Sequence, residues 1–174
     1  PLPYEKLRYT KIPAEKAEEI LNNLQEGSSV QEKIDGSAAL VRIVGKNLDV
    51  LSYRTSKKTG NPIIQLEKIF GRKPEIKPHP ELPNAVLRGE VFGIRDKKVL
   101  PPQELGGILN ATLANSLVAQ KAKKIDLKTL LFDIYSAGRK PVHDLPYNER
   151  MALLKKILPN LPDKFMLPEQ ATTP

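Results

Sequence analysis

The chain has no cysteine and no tryptophan, and carries only two histidines, five tyrosines and four phenylalanines in 174 residues. Without cysteine there is neither a disulfide framework nor a thiolate metal site. His79 lies among prolines and His143 in a loop, each without a spaced histidine or carboxylate companion, so a histidine-based metal centre is not expected. No apolar run approaches the ~18 residues of a membrane span, and no signal-peptide pattern opens the chain. An intracellular location, in cytoplasm, nucleoid or nucleus, is therefore expected. Acidic charge is in deficit. Asp and Glu number 20 against 28 Lys and Arg, giving +8 and an isoelectric point near 9.6. Such a surplus fits a polyanionic partner or a solvated basic surface, and composition alone leaves both open.

What is present suffices for one soluble domain, with 40% hydrophobic and 28% charged residues. Apolar spacing predicts a helix from Ile12 to Gln25 with Pro13 in its first turn, then a short strand from Val30 to Lys33. Ser37 to Val44 and Leu48 to Tyr53 read as strands of a hairpin turning at Gly45-Lys46-Asn47. A basic loop, Lys57 to Pro62, leads to a short predicted helix from Ile63 to Phe70. A proline-rich connector from Pro74 to Pro83 is too broken for a strand interior. Beyond it, Ala85 to Ile94 and Leu127 to Tyr135 are β-like, and Phe165 to Leu167 reads as a last strand. Glu104 to Asn110, Leu113 to Lys124 and Pro146 to Leu158 read as helices. The expected class is α+β, with mostly antiparallel sheets and flanking helices.

One segment carries chemistry. In Gln31-Glu32-Lys33-Ile34-Asp35-Gly36-Ser37 a lysine sits between acidic side chains at the mouth of the predicted hairpin. A lysine is a nucleophile only when deprotonated, which its reference pKa of about 10.4 makes rare at neutral pH. Burial or a nearby cation lowers that value, and a metal-bound electrophile raises the reactivity of what little amine exists. Gly36 lets the backbone turn tightly beside a bulky ligand. Lys-x-Asp-Gly alone turns up by chance in about 4% of chains of this length, so its neighbours matter. Ser52-Tyr53-Arg54-Thr55 follows, with Arg54 21 residues after Lys33. A guanidinium fixed at a strand end can hold an anion bidentately. Leu87-Arg88-Gly89-Glu90-Val91-Phe92 puts a carboxylate inside an apolar strand, where it is costly unless paired or liganded. Leu130-Leu131-Phe132-Asp133-Ile134-Tyr135 presents an aromatic within a further apolar strand.

In this order the four segments resemble the motifs of ATP-dependent polynucleotide ligases, over roughly Val30 to the end. Gly106-Gly107-Ile108-Leu109-Asn110 and the Tyr147-Asn148-Glu149-Arg150 helix also fit that family. The resemblance implies the first part of a ligase nucleotidyltransferase (ATP-grasp-like) domain. It implies Lys33 as the nucleophile that becomes lysyl-AMP, with Asp35 beside the reacting phosphate. It further implies nucleotide contacts from Gln31, Glu32, Ile34, Arg54, Glu90 and Phe132, the last stacking on adenine. Gln31 or Glu32 would accept from the adenine amino group, which favours ATP over GTP. Mg²⁺ or Mn²⁺ would be held by Glu90 and Asp35. The implied partner is nicked duplex DNA, sealed in repair or replication by a monomer; RNA ligation and a non-catalytic basic nucleic-acid-binding module are the alternatives.

The departures shape the expectation. Ala38 stands where nick-sealing ligases usually carry arginine, Arg88-Gly89-Glu90 replaces the usual Asp-Gly-Glu, and Ser37 after the glycine is seen in several RNA ligases. The family's later Glu-Gly and Lys-x-Lys strands are missing, as is an oligonucleotide-binding (OB-fold) barrel. The chain starts at Pro1 and ends at Pro174. Residues 1–174 are accordingly expected to be a single partial adenylation domain, weak or inactive alone.

Overall fold

Pro13 opens the first helical segment rather than interrupting it. With φ −58° and ψ 142° it precedes a 3₁₀ turn, Ala14–Lys16, that leads into α1, Ala17–Asn22. The computed structural model describes residues 13–23, 29–31, 34–138, 140–168 and 170–172. Of the helix expected over 12–25, the described part is a 3₁₀ turn plus a short α-helix within 14–22, and residues 12, 24 and 25 lie outside the described residues. β1 (Ser29–Gln31) pairs antiparallel with β10 (Gln170–Thr172) in a small separate sheet.

Alternating apolar residues make β2 (Ser37–Val44) and β3 (Asn47–Thr55) the predicted hairpin, with Val44 paired to Asn47. Gly45 takes the positive φ, 61°, that this two-residue turn requires. The segment expected as one helix from Ile63 to Phe70 divides. Pro62–Ile64 is β4, paired to β3, and only Leu66–Phe70 is helical, as α2. Adding a strand to the free edge of β3 satisfies backbone groups that a longer helix would leave open. No regular element occupies the proline-rich connector.

β5 (Asn84–Arg95) pairs with β2 along eight positions, then turns through Asp96 and Lys97, both at positive φ, into the short β6 (Lys98–Val99). α3 (Pro102–Asn110) and α4 (Leu113–Ala122) follow, α4 capped by the Thr112 hydroxyl accepting from Asn115 N. β7 (Asp126–Ala137) returns antiparallel to β5 and pairs with β8 (Lys140–Pro141). α5 (Tyr147–Ile157) packs on β7. β9 (Phe165–Met166) joins β7 in parallel, an exception to the antiparallel pattern. The main sheet runs β4-β3-β2-β5-β7-β8. The class is α+β, an antiparallel sheet with flanking helices.

One face of that sheet builds the core. Val41, Val50, Leu87 and Leu131 are fully enclosed or nearly so, against Leu66 and Ile69 of α2, Leu105 and Ile108 of α3 and Leu154 of α5. Spacing of three along α5 puts Met151, Leu154 and Ile157 on one buried stripe. Lys68 of α2 is charged and lies beside this core. It is buried, and its Nζ donates to Leu109 O at 2.6 Å, in the last turn of α3. Burial pushes its amine below the ordinary lysine value.

Candidate functional site

The Asp35-Gly36 turn runs directly against the Glu90 strand. β2 and β5 pair from Ser37–Val91 and Ala38–Glu90 onward, so the end of the lysine motif and the Gly-Glu motif are neighbours. A Cβ on Gly36 would stand 2.4 Å from Val91 O and 3.2 Å from Glu90 Oε2. Only glycine fits there. Asp35 is exposed, while Ile34 and Glu90 are half-buried.

Alternation along β5 sends Leu87 and Val91 into the core and turns Arg88 and Glu90 to the opposite face. On this face β7 carries a bulge. Gly89 pairs with Leu131 and Arg88 with Asp133, so Phe132 is an extra residue in β7. Such a bulge re-aims the side chain it carries. Phe132 is half-buried and stands outside the core cluster. The strands approach so closely beside it that a Cβ on Gly89 would lie 2.4 Å from Leu130 O. The glycine of the Gly-Glu pair is therefore a packing requirement of the sheet.

Three further residues hold this bulge. The Arg88 guanidinium carbon lies 5.5 Å from the centre of the Phe132 ring, in cation–π range. Arg88 is 6% exposed, and its Nε is buried with no hydrogen-bond partner among the described residues. Tyr147, at the start of α5, donates its hydroxyl to Phe132 O at 2.8 Å. Arg150, one turn on, donates Nε to Asp133 Oδ1 at 2.8 Å and Nη1 to the carbonyls of Leu145 and His143 at 2.6 and 3.2 Å. Its guanidinium also lies 5.1 Å from the Tyr147 ring centre.

Arg54 is exposed near the end of β3, beyond the Ala39–Ser52 pair and at the sheet end where β2 begins. The buried Ser52 hydroxyl accepts from Arg54 N at 3.0 Å and shapes that strand end. The structure thus brings Glu90 and Phe132 onto adjoining strands, with Asp35 and Gly36 just before β2 on the other side of β5 and Arg54 at the same end of the sheet. Lys33 and Glu32 lie outside the described residues, and so does the side chain of Gln31. Among the described residues, no three His, Asp or Glu side chains cluster as a metal cage, and no helix is long and apolar enough to cross a membrane.

Sequence reading attached no role to Arg88, Asp133, Tyr147 or Arg150. Arg88 stood out only as a departure from Asp-Gly-Glu, and the Tyr147–Arg150 helix only as a family likeness. The signal that exposes them is the register shift at Phe132, which depends on a partner strand more than 40 residues away in sequence.

A search of curated protein sequences gives no match. Solved structures share the fold at low identity. A mycobacterial DNA ligase D complexed with ATP and MES is 14% identical over 82% of this chain and 40% of its own, with a TM-score of 0.50. The ligase domain of M. tuberculosis LigD is 16% identical over 82% of this chain and 39% of its own, with a TM-score of 0.52. A Lig E DNA ligase, described as binding DNA with a minimal scaffold, is 19% identical over 97% of this chain and 52% of its own, with a TM-score of 0.53. The chain spans about half or less of the length of these solved chains. The profile of the ATP-dependent DNA ligase domain matches residues 11–174, nearly the whole chain, and the chain belongs to that family.

Proposed function

We propose that residues 1–174 are a single adenylation unit of an ATP-dependent DNA ligase, using ATP to activate a 5′-phosphate at a nick in duplex DNA. The observation that carries this reading is the pairing of Ser37 with Val91, which sets the lysine motif beside the Glu90 carboxylate. The match of residues 11–174 to the ATP-dependent DNA ligase domain spans both segments and supports it.

In this reading the amine of Lys33 attacks the α-phosphorus of ATP. The P–N bond forms as the bond to pyrophosphate breaks, and the amine proton leaves to solvent. The 5′-phosphate of the nick then displaces Lys33 from the AMP, and a 3′-hydroxyl displaces AMP to close the phosphodiester. Such steps depend on alignment and charge neutralisation more than on covalent help. Arg54 would hold phosphate or ribose, Phe132 would stack on adenine, and Ile34 would line the nucleotide pocket. Gln31 or Glu32 would accept from the adenine amino group. A base stacked on one aromatic gains roughly 1–3 kcal/mol.

Glu90 and Asp35 supply the hard carboxylate oxygens that Mg²⁺ prefers. Magnesium usually takes one or two carboxylates together with substrate phosphates and water, so the donor set fits. Mg²⁺, or Mn²⁺ in its place, would neutralise developing phosphate charge when bound.

The test is incubation with α-³²P-ATP and Mg²⁺ followed by denaturing electrophoresis. A weak protein-bound label that Lys33→Ala abolishes is expected, together with weak ATP binding that Phe132→Ala lowers further. Label that survives Lys33→Ala overturns the assignment. ATP-independent DNA binding without either signal would favour a non-catalytic module. Transfer of label to nicks with RNA on either side would favour an RNA ligase.

A further inference from the structure

Arg88 stands where the family's usual pattern has aspartate, yet it is buried and turned toward an aromatic ring, with no ion-pair partner among the described residues. A buried guanidinium with an unpaired Nε is a destabilising choice unless the group does something at that position. Its guanidinium lies 5.5 Å from the centre of Phe132. The same residue is gripped from the other direction, because Tyr147 donates to Phe132 O at 2.8 Å. Arg150 then ties Asp133, the next residue in the chain, to the loop carbonyls before α5. An extra residue in a bulge lacks regular ladder pairing and would otherwise sample several orientations. Here both its ring and its carbonyl are held.

We propose that Arg88 and Tyr147 are positioning residues that lock the Phe132 bulge, so that its ring is already oriented to receive a purine before nucleotide binds. This rests on the reading of Phe132 as the base-stacking residue. The benefit is the ordering entropy avoided on binding, since a flat side chain fixed in advance need not be immobilised by the ligand. Arg88 also brings a positive charge to the ring, an interaction that aspartate would not make.

The experiment uses the whole chain with 4-fluorophenylalanine at its four phenylalanines, Phe70, Phe92, Phe132 and Phe165. Phe132→Leu assigns the Phe132 resonance by its loss. In the parent, without ligand, Phe132 should give one sharp ¹⁹F line. Tyr147→Phe, which removes only the hydroxyl, should shift or broaden that line more than the three others. Arg88→Met should do the same while keeping or raising the melting temperature, because it removes an unpaired buried donor. A merely structural arginine would give the opposite thermal result. Binding of radiolabelled ATP, by equilibrium dialysis, should weaken about three- to tenfold in each variant, the size of a single hydrogen bond or cation–π interaction. If Tyr147→Phe and Arg88→Met leave both the Phe132 line and ATP binding unchanged, the proposal is overturned. If the line moves but Phe132→Ala leaves ATP affinity intact, the ring is locked as proposed and the stacking role assigned to it is wrong.

Discussion

Glu90 Oε2 lies 3.2 Å from the point where a Cβ of Gly36 would stand. Two motifs separated by more than fifty residues of sequence therefore share one small space. The closeness is set by strand pairing, since Ser37 faces Val91 and Ala38 faces Glu90. It predicts that the glycine and the carboxylate fail in different ways.

Gly36→Ala places a methyl 2.4 Å from a backbone oxygen, which cannot swing aside as a side chain can. The β2–β5 pairing must shift, at a cost of about 1–3 kcal/mol as for other overpacked sites. Urea denaturation should show a lower midpoint, and covalent labelling by ATP should fall with it. Glu90→Gln keeps shape and removes charge, so its midpoint should fall less than that of Gly36→Ala while labelling falls at least tenfold. Equal stability loss in the two variants would refute this division.

How far the chain could be read follows from where the determining interactions lie. The β2–β3 hairpin was legible because period-two alternation and a turn glycine are local features. The buried stripe of α5 was legible for the same reason. Local spacing puts Ile63 in a helix, but the choice is made by the free edge of β3, which takes Pro62–Ile64 as a strand. The parallel pairing of β9 depends on a chain reversal that composition does not encode. At the candidate site, motif order singles out Gly36, Glu90 and Phe132, and strand pairing brings them near one another. Motif order does not reveal the environment of Arg88, because the bulge that places Phe132 over it is a property of two strands together.

Arg150→Ala should be among the more damaging single changes outside the core. It removes the charge that pairs with Asp133 and frees two loop carbonyls before α5. The Asp133 side chain is only 9% exposed, so a carboxylate left there is poorly hydrated. Breaking one side of a buried pair typically costs 3–5 kcal/mol. Asp133→Asn with Arg150 intact should cost less, since the amide oxygen can still accept from Nε. The comparison is made by urea unfolding at neutral pH, and a near-neutral Arg150→Ala would show that the pair is solvated after all.

Lys68 gives a pH dependence of defined sign. Its folded-state pKa is lowered by burial from 10.5. Between that lowered value and 10.5 the unfolded chain binds more protons than the folded one, so this residue makes stability rise with pH through that window. Below the lowered pKa the penalty is fully present. Lys68→Met should therefore gain stability relative to the parent near pH 7, less whatever is lost when Leu109 O loses its donor. The difference between variant and parent should move in the parent's favour as pH approaches 10.5. Denaturant titrations of both proteins at pH 7, 9 and 10.5 make the comparison, and a difference independent of pH would exclude the burial effect.

The charge surplus makes a last prediction, on the proposed DNA partner. Each phosphate neutralised by a lysine or arginine releases counterions, so affinity falls with salt at a slope near −0.9 per phosphate. With a net charge of +8, engaging about four phosphates is reasonable. The slope would then be about −3.6, and affinity for a nicked duplex should drop about 150-fold between 50 and 200 mM salt. Lys57 and Lys58 are exposed in the turn that follows Arg54, at the sheet end where β2 begins. If that end faces the strand break, replacing both by Gln should lower the slope by about 2, one unit for each phosphate no longer neutralised. The exposed pair Lys155 and Lys156, in the last turn of α5, serves as the control and should change the slope little. Fluorescence anisotropy across a salt series with intact and nicked duplexes gives all of these values. Equal slopes for the two double variants would move the DNA path away from the Arg54 end of the sheet. A slope near zero for the parent would remove the electrostatic case for DNA altogether.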